Sequence, residues 1–158
     1  MILITLGSQR FQFNRLLKAV DDLIERGVID EEVFAQVGFS DYQPKHYPYK
    51  PFLDREEYAF WENKCSILIT HGGTGAIVGA VKKGKKVIAV PRLAKYGEHV
   101  DDHQLEIIHQ FGSQNLICGL SDCSELEGAL AFVKNHRFGT YVSNTASIIQ
   151  SIEAFIGD

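Results

Sequence analysis

Short apolar runs alternate with longer segments whose apolar positions recur at helical spacing. Residues 2–6 form an apolar run that ends at Gly7-Ser8, and a helical pattern then follows until Gly27. The apolar runs predict strands at 2–6, 33–37, 66–70, 86–90 and 115–118. The segments with helical spacing predict helices at 16–24, 54–61, 74–83, 100–111, 122–135 and 143–156. Because parallel strands need crossovers that cover the sheet, this order predicts an α/β fold, Rossmann-like, doubly wound and mostly parallel.

One segment breaks the alternation. Residues 39–52 carry three of the four prolines of the chain, which predicts irregular backbone with at most one short strand. Asp54 and Glu57 follow at the spacing of a capping pair, so a helix is expected to begin there.

Composition excludes several classes of protein. The 158 residues hold 16 Lys and Arg against 20 Asp and Glu, and the net charge of −4 argues against a nucleic-acid-binding surface. The apolar share of 45% is that of an ordinary globular protein, so one domain over residues 1–158 is expected. Cys65, Cys118 and Cys123 form no close CxxC pair, which favours a reducing cytosol over a disulfide framework. No apolar run approaches the ~20 residues of a membrane span, so any membrane association is expected to come from a partner.

The loops that follow the strands carry the candidate chemistry. In a doubly wound sheet, ligands bind outside the carboxyl ends of the strands. Gly7-Ser8-Gln9 follows the first strand and His71-Gly72-Gly73-Thr74-Gly75 follows the strand at 66–70. The loop after the strand at 86–90 runs from Pro91-Arg92 to residues 98–104. These three loops are expected to share one rim of the sheet.

The glycine-rich turn at 71–75 predicts an anion site. Glycines allow backbone N–H groups to approach a phosphate, and a helix N-terminus adds unpaired donors and a positive dipole end. Thr74 is a candidate helix cap or phosphate donor, and the ring of His71 is a candidate donor to the same group. Ser8 is a candidate cap of the first helix. A tight structural turn without a ligand explains both glycine turns equally well.

The loop at 98–104 has the side chains that a sugar site needs. Asp101, Asp102, His103 and Gln104 offer carboxylates and an amide to sugar hydroxyls. Two alternatives stay open: His99 and His103, four apart, as a metal pair with Asp102 nearby, or a solvated helix start.

Three motifs together resemble a known family. They are residues 5–13 (TLGSQRFQF), residues 70–75 (THGGTG) and Val90-Pro91-Arg92 with His99 and residues 101–104 (DDHQ). These motifs resemble the C-terminal, donor-binding domain of family 28 glycosyltransferases. Over nearly its whole length the chain is similar to bacterial exopolysaccharide or capsule glycosyltransferase subunits, counterparts of the catalytic subunit of the two-chain UDP-GlcNAc transferase of eukaryotic dolichol-linked glycan synthesis.

The resemblance implies half of a GT-B fold and a UDP-sugar-dependent hexosyltransferase that acts with a second, membrane-associated subunit. It implies a UDP-sugar as substrate with no cofactor or metal, a lipid-linked saccharide acceptor, and a cytoplasmic location at the inner membrane face through the partner. The helix at 143–156 is the candidate for docking to that partner. The donor-binding residues that it implies are Gly7, Ser8, Gln9, His71, Gly72, Gly73, Thr74, Gly75, Arg92, His99, Asp101, His103 and Gln104.

One position departs from the family pattern. Many relatives have a ribose-binding carboxylate eight residues after the place of His71, where this chain has Gly79. The resemblance also implies direct displacement with inversion, the general base lying on the acceptor-side half, so no catalytic residue is assigned here. A non-catalytic enhancer subunit and a stand-alone UDP-sugar-processing enzyme are the two alternatives, and neither the sugar nor the acceptor follows from the sequence.

Overall fold

The computed structural model describes residues 1–140, so the predicted helix at 143–156 lies outside the described residues. The strands are β1 (Ile2–Thr5), β2 (Val33–Gln36), β3 (Tyr49–Lys50), β4 (Ile67–Thr70), β5 (Lys86–Ala89) and β6 (Cys118–Gly119). The helices are α1 (Asn14–Glu25), α2 (Arg55–Lys64), α3 (Thr74–Lys82), α4 (His103–Ser113) and α5 (Leu126–Asn135). Within residues 1–140, no helix is long and apolar enough to cross a bilayer.

The strands form one six-stranded sheet in the order β3-β2-β1-β4-β5-β6, and every neighbouring pair is parallel. The predicted fold class is thereby confirmed. The strand β1 pairs with β2 on one side and with β4 on the other, in the registers Ile2 to Val33 and Ile2 to Ile67. The strand order reverses between β1 and β4, so the loops after these two strands border the crevice where doubly wound sheets bind ligands.

Alternate residues of the strands supply two apolar layers, one on each face of the sheet. Ile4 and Ile69 pack with α1 and α5 on one face, whereas Leu3 and Leu68 pack with α3 and α4 on the other. This alternation follows from the two-residue period of a strand. Burial on both faces explains why β1 and β4 are continuous apolar runs.

Polar side chains fix several helix ends. Asp54 and Glu57 form the predicted capping box at the start of α2. Lys85 Nζ donates to the carbonyl of Cys65 at 2.8 Å, and Lys86 Nζ donates to the carbonyl of Val133 at 2.6 Å. These ammonium groups therefore satisfy carbonyls at the ends of α2 and α5, where a cation also complements the helix dipole.

Two predicted boundaries after β5 are wrong, the start of the next helix and the bounds of the last strand. The helix expected from residue 100 begins at His103, after a 3₁₀ turn at Ala94–Tyr96. The strand expected at 115–118 is Cys118–Gly119, because Asn115 has a positive φ of 58° and the N–H of Leu116 bonds to Phe111. Asn115 and Leu116 therefore bond to carbonyls at the C-terminal end of α4 and do not pair with β5.

Candidate functional site

A cleft of about 340 Å³ opens at the crevice between the loops after β1 and β4. Its floor is the carboxyl end of the sheet, and α2 and α3 contribute to its walls. The residues that line it are Thr5, Gly7, Ser8, Gln36, Phe52, Leu53, Tyr58, Gly75 and Ala76. The cleft thus brings together the two glycine turns that the sequence analysis selected.

The N-terminus of α3 borders this cleft with unpaired backbone donors. Gly73 is the N-cap, and its extended φ and ψ let the next three residues begin the helix. Within residues 1–140, the N–H groups of Thr74, Gly75 and Ala76 have no acceptor, as expected for a first helical turn. The prediction that the Thr74 side chain caps α3 is wrong, because Thr74 lies inside the helix and no side chain caps it.

His71 directly follows β4, and its ring lies between Gly7 and Gly73. The side chain is 7% exposed, and its Nδ1 lies 3.1 Å from Nε2 of Gln104. A Cβ on Gly7 would lie 2.8 Å from Nε2 of His71, and one on Gly73 would lie 2.7 Å from the same atom. Both positions must therefore be glycine for the imidazole to lie where it does. Burial, and to a smaller extent the charge of Arg92, lower the pKa of His71 to about 3.

Gln104 is buried beneath the turn that contains His71. A Cβ on Gly72 would lie 2.5 Å from Cβ of Gln104, so the missing side chain of Gly72 allows this approach. The N–H of Gly72 donates to Oε1 of Gln104 at 2.9 Å. This N–H is consequently satisfied within the protein, unlike those of Thr74 and Gly75.

Arg92 is the largest fully buried side chain of the described residues, at 1% exposed. Its guanidinium donates to the carbonyls of Leu6, Phe11 and Gln12, and its carbon lies 5.3 Å from the centre of the Phe13 ring. Burial lowers the pKa of Arg92 to about 10, so the group stays charged at neutral pH. Arg92 thus holds the loop between β1 and α1 in its curved conformation.

The buried carboxylate of Glu98 attracts the guanidinium of Arg92 and is itself paired with a second arginine, Arg15. Glu98 accepts from the N–H of Leu93 at 3.0 Å and receives Nε and a terminal nitrogen of Arg15 at 3.0 Å each. Arg15 also pairs with Asp122 at the start of the last 3₁₀ turn. The start of α1 and the loops after β5 and β6 are therefore joined by ion pairs that share Arg15.

The start of α1 differs from the expectation for Ser8. The N-cap of α1 is Phe13 and no side chain caps it, so the prediction of a Ser8 cap is wrong. Ser8 is exposed and lines the cleft, and Gln9 beside it is also exposed. The whole segment from Gly7 to Gln12 forms a loop at the mouth of the cleft.

Sequence analysis missed Gln36, which shapes the same loop from β2. Its Oε1 accepts from the hydroxyl of Thr5 and from the N–H groups of Leu6 and Gly7. Its Nε2 donates to the carbonyls of Gly7 and Pro51, at 2.9 Å each. The available signal was a single glutamine inside the apolar run at 33–37.

The third predicted loop forms a separate cluster beside this region. His99 Nδ1 lies 3.2 Å from Oδ1 of Asp101, which also accepts from the backbone N–H of His103 at 3.0 Å. This backbone bond is the main reason why the pKa of Asp101 is lowered. The ring of His99 packs 5.4 Å from that of Phe11, on the loop after β1. Among residues 1–140, no group of three or more His, Cys, Asp or Glu side chains could hold a metal ion.

Gly79, the position that departs from the family pattern, lies in α3 near a carboxylate of α2. A Cβ on Gly79 would lie 3.6 Å from Oε2 of Glu62, a buried residue of α2. The other oxygen of Glu62 receives Nζ of Lys83 at 2.5 Å. A carboxylate is therefore present near Gly79, but it comes from α2 and is ion-paired.

A match to a family profile identifies the family to which the chain belongs. The profile described as "Glycosyltransferase family 28 C-terminal domain" matches residues 1–117 of the 158. The chain belongs to this family. A search of curated proteins finds no sequence that matches.

Solved structures agree with the family on the fold. The chain is similar to the glycotransferase of kitacinnamycin, with a TM-score of 0.59 at 11% identity, over 98% of this chain and 38% of that one. It is similar to MurG of Acinetobacter baumannii, with a TM-score of 0.58 at 14% identity, over 96% and 49% of the two chains. For the spinosyn forosaminyltransferase SpnP the TM-score is 0.52 at 18% identity, over 96% and 39%. The family 28 domain thus spans less than half of each neighbour and corresponds to half of a GT-B fold.

Proposed function

We propose that the chain is the donor-binding half of a UDP-sugar-dependent hexosyltransferase. In this proposal it acts with a membrane-associated subunit that supplies the acceptor side, at the cytoplasmic face of the membrane. The acceptor would be a lipid-linked saccharide in exopolysaccharide or capsule synthesis. Membership of the glycosyltransferase family 28 C-terminal domain family supports donor binding, and the neighbours of about twice the length or more support a second half.

The observation that carries the proposal is the N-terminus of α3 beside His71. The N–H groups of Thr74, Gly75 and Ala76 have no acceptor within residues 1–140, and the helix dipole places partial positive charge there. Nε2 of His71 likewise has no hydrogen-bond partner in the described part of the chain. Donors that converge on one crevice are what a diphosphate needs.

The remaining predicted residues divide into two groups by exposure. Gly7, Ser8 and Gln9 border the cleft and are proposed to face the donor and the acceptor-side half. Asp101 and His103, with His99, are proposed to contact the hydroxyls of the donor sugar. Arg92 and Gln104 are buried, which favours a role in shaping the site over direct contact with the sugar.

The chemistry that suits this site is a direct displacement with inversion. The oxygen of the acceptor hydroxyl forms a bond to the anomeric carbon while the bond from that carbon to the β-phosphate oxygen breaks. The electron pair leaves with UDP, and the hydroxyl proton passes to a base on the second subunit. The donors at α3 and His71 would stabilise the charge that develops on the leaving diphosphate.

A titration of the isotope-labelled full chain tests the proposal. UDP is expected to shift the amide signals of Thr74, Gly75 and Ala76, whereas uridine, which lacks phosphate, should leave them unchanged. The amides of Gly27 and Gly84, which lie at turns after α1 and α3, serve as internal controls. Unmoved signals at α3, both for the chain alone and in the assembled complex, would refute donor binding.

The same preparation separates the two alternatives. An enhancer subunit would increase the rate of transfer by its partner, but UDP would not shift the amide signals of its own α3. A stand-alone enzyme would turn over a UDP-sugar without a second protein. In the proposed two-subunit enzyme, replacing His71 with Phe should lower transfer by ~10-fold or more, because a hydrogen bond to a charged leaving group is lost.

A further inference from the structure

The amide of Gln104 has a fixed orientation. Its Oε1 accepts two backbone N–H groups, from Gly72 at 2.9 Å and from Arg92 at 3.0 Å. Turning the amide over would place its NH₂ group against both of these donors. Gln104 is 5% exposed, so water cannot compensate for such a loss. The NH₂ group must therefore be the end that faces His71.

This orientation determines which ring nitrogen of His71 carries the proton. Nε2 of Gln104 lies 3.1 Å from Nδ1 of His71 and can only donate to it. Nδ1 must then offer a lone pair, and the single proton of the neutral ring must be on Nε2. A ring protonated at both nitrogens would set two N–H groups against each other at this contact.

The protonated nitrogen is the one that lies against Gly7 and Gly73, in the two glycine turns that border the crevice. The positions of Gly7 and Gly73 leave room at Nε2, since a Cβ on either would approach it to within 3 Å. We propose that Gln104 is a positioning residue, which holds His71 as the neutral Nε2–H form so that it donates a hydrogen bond into the crevice. This inference rests on the proposed function only in the identity of the acceptor, a phosphate oxygen.

The electrostatic surroundings of His71 agree with a neutral donor. Burial removes the water that would stabilise a positive charge on the imidazole, and the guanidinium of Arg92 and the ring of His99 oppose such a charge to a smaller extent. The contacts around the ring therefore favour a donor that keeps its proton on one nitrogen over the whole physiological pH range.

Nitrogen-15 NMR of the full chain without ligand measures the protonation state of each ring nitrogen of His71 and so tests the inference. In the natural sequence, Nδ1 should show the shift of an unprotonated nitrogen and Nε2 that of a protonated one. The variant Gln104→Glu can still accept from Gly72 and Arg92, but when its carboxylate is ionised its second oxygen can only accept and therefore requires a proton on Nδ1. Gln104→Glu should therefore place a proton on Nδ1.

The matched control is Gln110→Glu, the same substitution on an exposed position of the same helix. It should leave both ring nitrogens of His71 unchanged. A protonated Nδ1 in the natural sequence overturns the inference without any variant. Ring signals that are the same in Gln104→Glu and in the natural sequence, at a pH where the introduced carboxyl is ionised, overturn it as well.

UDP binding distinguishes this inference from the proposed function. Gln104→Glu should weaken UDP binding by ~10-fold or more, because Nε2 is no longer a fixed neutral donor, while Gln110→Glu should stay within ~2-fold. If the natural chain binds no UDP but shows the expected ring signals, the proposed function fails and the role of Gln104 stands. Weaker binding of UDP by Gln104→Glu with unchanged ring signals would overturn the positioning role.

Discussion

Gly73 lies against the imidazole of His71 so closely that a Cβ on Gly73 would fall 2.4 Å from Cε1 of the ring. The ring cannot move away easily, because it is buried and its Nδ1 is held by Gln104. Gly73→Ala is therefore expected to lower the free energy of unfolding by ~1–3 kcal/mol through overpacking. Urea denaturation followed by circular dichroism measures this change.

Gly128 in α5 provides the comparison for this substitution. A Cβ there would meet nothing within 4 Å, so Gly128→Ala should raise the free energy of unfolding by ~0.5–1 kcal/mol through helix propensity alone. Equal stability of Gly73→Ala and the natural chain would show that the imidazole does not occupy the space beside Gly73.

Arg92 should be irreplaceable by lysine, although both are cations. Its guanidinium group donates to the carbonyls of Leu6, Phe11 and Gln12 at the same time. The ammonium group of a lysine cannot donate to these three carbonyls in the same geometry. We expect Arg92→Lys to lower the free energy of unfolding by ~2–4 kcal/mol, with faster hydrogen exchange in the loop after β1. Arg10→Lys, on the exposed part of that loop, should stay within ~0.5 kcal/mol.

The alternation of strands and helices, and the edge of the sheet at which the glycine turns meet, could be predicted because they depend on local patterns. Apolar runs of four or five residues alternate with helical spacing, and parallel strands leave few arrangements of such a chain. The capping box at Asp54 and Glu57 is also local, since three residues separate its members. The glycine turn at 71–75 was found for the same reason.

The buried polar residues around the crevice could not be predicted in their actual roles. Arg92 and Gln104 have the residue types of ligand-binding side chains, yet their partners lie within the protein: backbone groups for both, and the imidazole of His71 for Gln104. Arg92 and Leu6 are 86 positions apart in the sequence, so only the packed fold brings them together. The predicted start of α4 is wrong because the side chains of Glu98 and Asp102 accept from the backbone N–H groups of Leu93 and Ala94 and so fold this loop back on itself before the helix begins.

Gln36 offers a test of how tightly the two loops at the cleft are held. Its Nε2 donates to the carbonyls of Gly7 and Pro51, so Gln36→Glu would set a carboxylate against two carbonyl oxygens. At neutral pH this variant should lose ~2–4 kcal/mol of unfolding free energy. Gln43→Glu, at an exposed position, should be neutral within ~0.5 kcal/mol.

The loss in Gln36→Glu should depend on pH in a defined direction. The folded state disfavours the charged carboxylate, so its pKa should rise above the ordinary value of ~4.3. The deficit should then shrink as the pH falls towards that value, because a protonated carboxyl can again donate to one carbonyl. A deficit that stays constant from neutral pH down to ~4 would contradict the hydrogen bonds assigned to Gln36.

The pKa of His71 predicts a further pH dependence of stability. The imidazole of the unfolded chain takes up a proton near 6.5, whereas in the folded chain burial delays protonation to about 3. Between these values the unfolded state binds more protons, so stability falls as the pH falls, by up to ~1.4 kcal/mol per pH unit. The variant His71→Phe lacks this group and keeps the pH dependence of the other residues. Urea denaturation of both proteins between pH ~6.5 and ~4 should therefore give a steeper loss for the natural chain. Parallel curves would mean that the imidazole of His71 takes up its proton equally well in the folded state.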